Sequence, residues 1–411
     1  MTGGISPTLL MNETILSKKK KGEEVYAFGF GMSPFPVPEI LSTSLSQKSV
    51  LGMYLPSAGL TALRHKIAAH HSSLGVQSFD ENQVVVSPGS KEMIFQIQMA
   101  CRLPLILPSP SWVSYGPQAK MLNLGLHWID TQCENEYKMT ANDLKDYIVK
   151  NNIERSLLIL NYPNNPSGVT YTNQELQSIA KVCKEHGIIV ISDEIYGLLN
   201  YEGTYHSISN FLPDQTIITS GLSKWCNAGG YRLGYGIFPD EMDEIRQKVI
   251  IQASETYSCV AAPIQYAAVE IFEAWSDMMH LIKKQRKVLQ FVSNYIISNL
   301  RRLQIQCSSS DGGFYTFIDL SSHRTHLAKK GIYGSDEMCQ TLITEYGLAL
   351  LPGTVFGRPM TEYSARLAFV DFNGKYALEH VSDYQNSTHF VENICPKIYH
   401  SINQFENFLT N

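Results

Sequence analysis

What the chain lacks narrows what it can be. No apolar run approaches the ~20 residues that span a bilayer, so no membrane-spanning helix is expected. There is no basic excess: 33 Lys and Arg stand against 38 Asp and Glu, a net charge of −5, whereas nucleic-acid binding wants a basic face. The eight cysteines are scattered, without one C-x-x-C pair. That pattern offers neither a zinc cluster nor a disulfide framework, so no metal is expected, and reduced thiols in a cytoplasm fit best. No internal repeat or low-complexity linker interrupts the sequence. The N-terminus has no apolar h-region: Met1–Asn12 is mixed, and a run of lysines, Lys18–Lys21, follows. The first ~25 residues are expected as a loose or draped arm, with the lysine run solvated.

What is present is ample material for a core. The 411 residues are 44% apolar and 17% charged, an ordinary globular composition, and the length suits two to three domains. Phe28–Pro38 holds a Gly-x-Gly among prolines, which forbid a helix start there; it reads as a loop bringing backbone close to something. Tyr54–Ala69 turns helical at Gly59, with Leu60, Leu63 and Ile67 at helical spacing.

From residue 84 one arrangement recurs. Val84–Val86 leads to Ser87-Pro-Gly-Ser-Lys91 and a helix with Ile94, Ile97 and Cys101 on one face. Leu105–Leu107 leads to Pro108-Ser-Pro-Ser-Trp112. Leu157–Leu160 leads to Asn161-Tyr-Pro-Asn-Asn-Pro-Ser-Gly168, and Ile188–Ile191 to Ser192-Asp-Glu-Ile-Tyr196. Thr216–Thr219 leads to Ser220–Gly234, SGLSKWCNAGGYRLG. Short apolar strands alternating with helices predict a mostly parallel sheet covered on both faces. One crossover helix is explicit: Thr172-Asn-Gln-Glu175 is a capping box, and Gly187 is the C-terminal glycine. The fold class is therefore α/β. A large domain, 46–290, holds a mostly parallel sheet sandwiched by helices. A smaller α/β domain is built from the N-terminal arm, 1–45, and the C-terminal segment, 291–411, with a long helix over 276–302 as the bridge.

Ligands of open α/β sheets bind outside the carboxyl ends of the strands, so the five loops predict one site. A lysine buried at Lys224 is costly unless paired or used, and once desolvated it is a nucleophile towards a carbonyl. Arg232, eight residues on, suits an anion held at two points. Gly89, Ser90 and Lys91 open a helix, where free N–H groups favour a phosphate. Trp112 offers a flat face. Asn165 and Tyr196 can bond a ring hydroxyl, and Asp193 ends a buried strand where a carboxylate must be paired or used. Singly, each is as readily a cap, a core ring or a turn former. Together they describe a flat, phosphorylated, aldehyde-bearing heterocycle: Lys224 forms the imine, Arg232, the Gly89 loop and Ser223 hold the phosphate, Trp112 stacks, and Asp193 keeps a ring nitrogen protonated. That is pyridoxal 5′-phosphate.

From about Phe28 to Leu409 the chain resembles the fold-type I pyridoxal-phosphate enzymes of the class I/II aminotransferase family, those related to aspartate and aromatic aminotransferases. The likeness rests on Gly221-Leu-Ser-Lys224 with Gly230-x-Arg232-Leu-Gly234, on Asn-Asn-Pro-Ser-Gly168, on Asp193-x-x-Tyr196, and on Tyr54–Arg64. Leu351–Gly357 and Ser364–Phe369 resemble the small-domain boxes. The resemblance implies that Arg366 clamps the substrate α-carboxylate and that Gly31 lines the substrate pocket beside Trp112 and Asn165. It implies a homodimer in which Tyr54 reaches the partner's cofactor phosphate. Three departures stand out. Gly221 replaces a common phosphate-binding serine, leaving Ser220 or Ser223 to substitute; Tyr231 stands where tryptophan is common; and Gly31-Met-Ser-Pro34 replaces a Gly-Glu-Pro box.

The implied activity is transfer of an amino group from an L-amino acid, aspartate or an aromatic one, to a 2-oxo acid such as 2-oxoglutarate. It would run by a ping-pong mechanism with Lys224 as general base and Asp193 and Tyr196 as its catalytic partners. A β-lyase or other amino-acid chemistry on the same cofactor is the alternative. A non-catalytic cofactor-sensing domain is a remote one, since too few residues precede Phe28 for a DNA-binding module.

Overall fold

The computed structural model describes residues 6–410. Positions 1–5, part of the expected arm, lie outside the described residues. In chain order the strands are β1 (Tyr26–Ala27), β2 (Val84–Ser87), β3 (Leu105–Ser109), β4 (Leu126–Asp130), β5 (Leu157–Asn161), β6 (Ile189–Asp193), β7 (Thr216–Gly221), β8 (Gly234–Ile237), β9 (Gln306–Cys307), β10 (Tyr315–Asp319), β11 (Leu348–Ala349), β12 (Leu351–Pro352) and β13 (Ser364–Ala368).

Seven of them form the main sheet in the order β2-β8-β7-β6-β5-β3-β4. All its pairings are parallel except the two made by β8. The inner strands are buried at every step because both faces are covered. Successive side chains point to opposite faces, and the core divides accordingly. Leu158, Leu160 and Val190 pack with Leu144, Leu176 and Ile179 on one side. Leu157, Ile159 and Ile191 pack with Met93, Ile94 and Ile97 on the other.

The helix Asn173–His186 starts and stops as its sequence dictates. The Thr172 hydroxyl accepts from the Glu175 N–H at 3.2 Å, the Glu175 carboxylate accepts from the Thr172 N–H at 2.8 Å, and Gly187 takes φ 64°. The long helix runs Trp275–Arg302, which at 1.5 Å per residue is roughly 42 Å. It is continuous across position 290, where the expected domain division falls.

The C-terminal segment builds a four-stranded sheet, β12-β13-β10-β9, and β1 of the N-terminal segment pairs with β11. Two main-sheet strands escape the sequence pattern. β8 alternates glycine with larger residues, and β4 is an edge strand of half-buried His127 and Trp128.

One expectation is overturned. Pro7–Lys20 is a helix, not a loose arm. Ile15 is buried with Val25, Ile343 and Ala349, and Met11 fills the space over Gly29 that a Cβ would otherwise enter. Nor is the lysine run uniformly solvated: Lys18 pairs with Glu23, and Lys19 lies 3.9 Å from Asp371.

Candidate active site

The carboxyl ends of β2, β3, β5, β6 and β7 open on one cavity of about 1070 Å³. Ser90, Lys91, Trp112, Asn165, Asp193 and Tyr196 line it, together with Ser223, Lys224, Arg232, Arg366 and Gly31. Gly89 caps the helix beside it with φ 93°. Tyr54 does not reach it: the side chain is 87% exposed in the single chain.

Lys224 follows β7 and donates to the Gly31 carbonyl at 2.9 Å, with the Tyr196 and Phe314 rings each 5.4 Å away. Removal from water, then the Arg366 charge, lower its pKa to about 7. Asp193 closes β6. Burial raises its carboxyl to about 6, against the bond that Tyr115 donates to it at 2.5 Å. Asn161, at the end of β5, donates to the Asp193 carbonyl at 2.8 Å and accepts from the Asn165 N–H at 2.7 Å.

Arg366 lies in β13. It donates to Asn165 Oδ1 at 3.0 Å and to the Gly29 carbonyl at 2.7 Å. The Phe28–Pro38 loop thus does bring its backbone to a ligand site, through Gly29 and Gly31. The buried Arg366 Nε has no partner.

At the other end, Ser90 and Lys91 open the helix Ser90–Cys101, whose first N–H groups have no intrahelical acceptor. Arg232 is fixed by donation to Gly229 O at 2.8 Å and Pro88 O at 3.0 Å. A Cβ at Gly89 would sit 2.3 Å from its guanidinium nitrogen. The departure at Gly221 has a steric cause: a Cβ there would meet the Leu233 carbonyl oxygen at 2.7 Å, where β7 and β8 pass closely. No side chain can serve from that position. Of the two replacements, Ser223 lines the cavity, while Ser220 is buried in the sheet opposite Tyr235. In the Gly-Met-Ser-Pro departure, Ser33 bonds Asn227.

The donor set fits pyridoxal phosphate. Among the described residues the cavity is lined by five cations, Lys19, Lys91, Lys224, Arg232 and Arg366, against two carboxylates, Asp193 and Asp371. That surplus of positive charge suits a phosphate and a substrate carboxylate, and the orphaned Arg366 Nε adds an unused donor.

Sequence reasoning missed four residues. Tyr115 and Asn161 were legible in principle, one just past Trp112 and the other at a strand end. Tyr315 arrives from β10, far along the chain, and bonds the Tyr196 hydroxyl at 2.9 Å. Glu194, beside Asp193, is buried, and burial lifts its carboxyl to about 7. Hydroxyls of Ser192, Ser207 and Tyr205 donate to it at 2.7, 2.6 and 2.7 Å, so it anchors the strand end. The helix Pro7–Lys20 also contributes, with Thr8, Leu9 and Asn12 at the cavity mouth.

A lysine and an aspartate at the carboxyl ends of an α/β sheet, with a buried arginine of the small sheet lining the same cavity, fit the class of fold-type I pyridoxal-phosphate enzymes. The chain belongs to the aminotransferase class I and II family, whose model matches residues 24–372. It is 31% identical over 366 residues to an aspartate aminotransferase of Bacillus sp. (strain YM-2), covering 87% of this chain and 90% of that protein. It is 29% identical over 366 residues to an asparagine–oxo-acid transaminase of Streptococcus mutans, covering 86% and 90%. Its fold is that of the Thermus thermophilus aspartate aminotransferase with maleate: TM-score 0.84 at 22% identity, over 98% of this chain and 97% of that one. The protein is a pyridoxal-phosphate-dependent aminotransferase. Among the described residues no helix is long and apolar enough to cross a membrane.

Proposed function

We propose that the protein moves the amino group of L-aspartate, or less readily of an aromatic amino acid, to 2-oxoglutarate in two half-reactions. The carrying observation is the proximity of a lysine of depressed pKa, Lys224, to the buried clamp of Arg366. Bound pyridoxal phosphate supplies an electron sink for the bond broken at the substrate Cα. Arg366 binds the α-carboxylate as a two-toothed donor and so fixes which Cα bond faces Lys224. Lys224 Nζ, whose lowered pKa of about 7 lets it give up its proton near neutral pH, takes the Cα proton and delivers it back on the other side of the exchange. Asp193 would hold a proton at the cofactor's ring nitrogen, Asn165 and Tyr196 would bond its ring oxygen, Trp112 would cover its face, and Ser90, Ser223 and Arg232 would hold its phosphate.

Aspartate is favoured by Lys91. Its ammonium lines the same cavity 5.1 Å from the Trp112 ring and has no carboxylate in ion-pair reach among the described residues. It serves the phosphate with Arg232 and is placed to meet a second substrate carboxylate. Tyr54, exposed here, is read as the residue a second copy lends to the phosphate in a homodimer. The eight free cysteines suit a reducing cytoplasm.

The test is a half-reaction. Purified protein loaded with the cofactor is mixed with L-aspartate and no oxo acid, and the near-visible absorption is followed. Its conversion to the amine form, reversed by 2-oxoglutarate, is expected. A protein that gives no amine form with L-aspartate, but releases pyruvate, ammonia and hydrogen sulfide from water and L-cysteine, whose thiol is the leaving group at Cβ, would instead be a β-lyase.

A further inference from the structure

Tyr315 joins the two halves of the site. It stands in β10 opposite Ala368, with Arg366 diagonally across on β13, so its ring lies 4.8 Å from the Arg366 guanidinium carbon. Such diagonal neighbours share a face of the sheet. Its hydroxyl is 2.9 Å from that of Tyr196 and 3.5 Å from the Gly31 carbonyl oxygen. Gly31 O already accepts from Lys224 at 2.9 Å. Either hydroxyl can donate in the Tyr196–Tyr315 bond, and for the Tyr315 proton the Tyr196 oxygen is the nearer acceptor. Tyr196 then accepts, and its own proton stays free to point into the cavity.

We propose that Tyr315 is a positioning residue whose hydroxyl donates to Tyr196, freeing the Tyr196 proton for the ring oxygen of the bound cofactor, while its ring supports the Arg366 clamp. This deepens the functional reading and rests on Lys224 carrying the cofactor. The titratable and charged groups around Tyr196 and Lys224 are Tyr315, Tyr115, Asp193, Arg366, Arg232 and Lys91. Tyr315→Phe removes one hydroxyl and leaves every charge in place.

The experiment compares the holoenzyme with Tyr315→Phe and Tyr315→Leu, titrating the near-visible absorption of the bound cofactor against pH and measuring KM and kcat for L-aspartate. A weaker donor at Tyr196 makes the Lys224 nitrogen keep its proton to higher pH. The midpoint should rise by about half to one pH unit in both variants, the equivalent of one hydrogen bond. KM should stay within ~2-fold in Tyr315→Phe, which keeps the ring, and rise ~5-fold in Tyr315→Leu, which loses its hold on a cation. Rescue of KM but not of the midpoint by phenylalanine is the signature. A Tyr315→Phe midpoint equal to that of the unaltered protein overturns the proposal, as does a variant that only melts earlier. Cofactor binding by the unaltered protein tests the functional reading separately, since the proposal rides on the difference between titrations.

Discussion

Arg366 and Asn165 meet at 3.0 Å across 201 residues of chain, a guanidinium of the small sheet donating to the turn after β5. The pair ties the arginine proposed as the substrate clamp to the loop proposed to face the cofactor. Arg366 is 1% exposed, so its charge is sustained by carbonyl and amide oxygens until a carboxylate arrives. Arg366→Gln should lower kcat/KM for L-aspartate by about 100-fold, through loss of two charge-assisted bonds, and leave the cofactor's absorption in place. Steady-state kinetics with spectra of the same sample check it.

Lys91 separates two classes of donor. Lys91→Met should raise KM for L-aspartate by ~10-fold, the scale of one charge-assisted hydrogen bond, and change KM for L-phenylalanine far less. Equal losses for both donors would place Lys91 on the phosphate alone. A donor panel against 2-oxoglutarate makes the distinction.

Stability should depend on pH through Lys224. Its pKa falls from the ordinary 10.5 to about 7 in the folded chain. Between those values the unfolded chain binds the extra proton, so stability rises with pH from about 7 to 10.5. Asp193 acts in a lower window. Its carboxyl is raised from 3.8 to about 6, so the folded chain binds more protons there and stability falls as pH rises across it. The cofactor-free protein should therefore melt higher at pH 9.5 than at pH 7.5 by more than its Lys224→Met variant does, as calorimetry at the two values would read.

The sequence made the strand-end chemistry legible because each polar residue interrupts an apolar run. Asp193 and Lys224 are conspicuous for that reason: charges at the ends of fully buried strands β6 and β7 have few bland explanations. The Thr172–Gly187 helix was legible down to its caps, since capping is a local interaction. Long-range partners were not. Tyr315 and Tyr196 are 119 residues apart, and nothing around Tyr315 marks it as polar machinery. β8 was hidden by its glycines: a Cβ added at Gly234 would lie 2.3 Å from the Ser90 backbone nitrogen, and one at Gly236 2.9 Å from Met93 Sδ. The helix Pro7–Lys20 was missed because its apolar residues form no clean stripe; Leu9, Leu10 and Leu16 stay exposed while Ile15 is buried.

The central claim is that Lys224 both carries the cofactor and moves the Cα proton. Lys224→Ala, loaded with pyridoxal phosphate and mixed with L-aspartate, tests it in one absorption measurement. The account predicts that the variant lacks the pH-dependent near-visible band of the unaltered protein and converts to the amine form at least ~1000-fold more slowly, a loss of the order expected for a positioned general base. A Lys224→Ala protein that converts L-aspartate at the unaltered rate would contradict it.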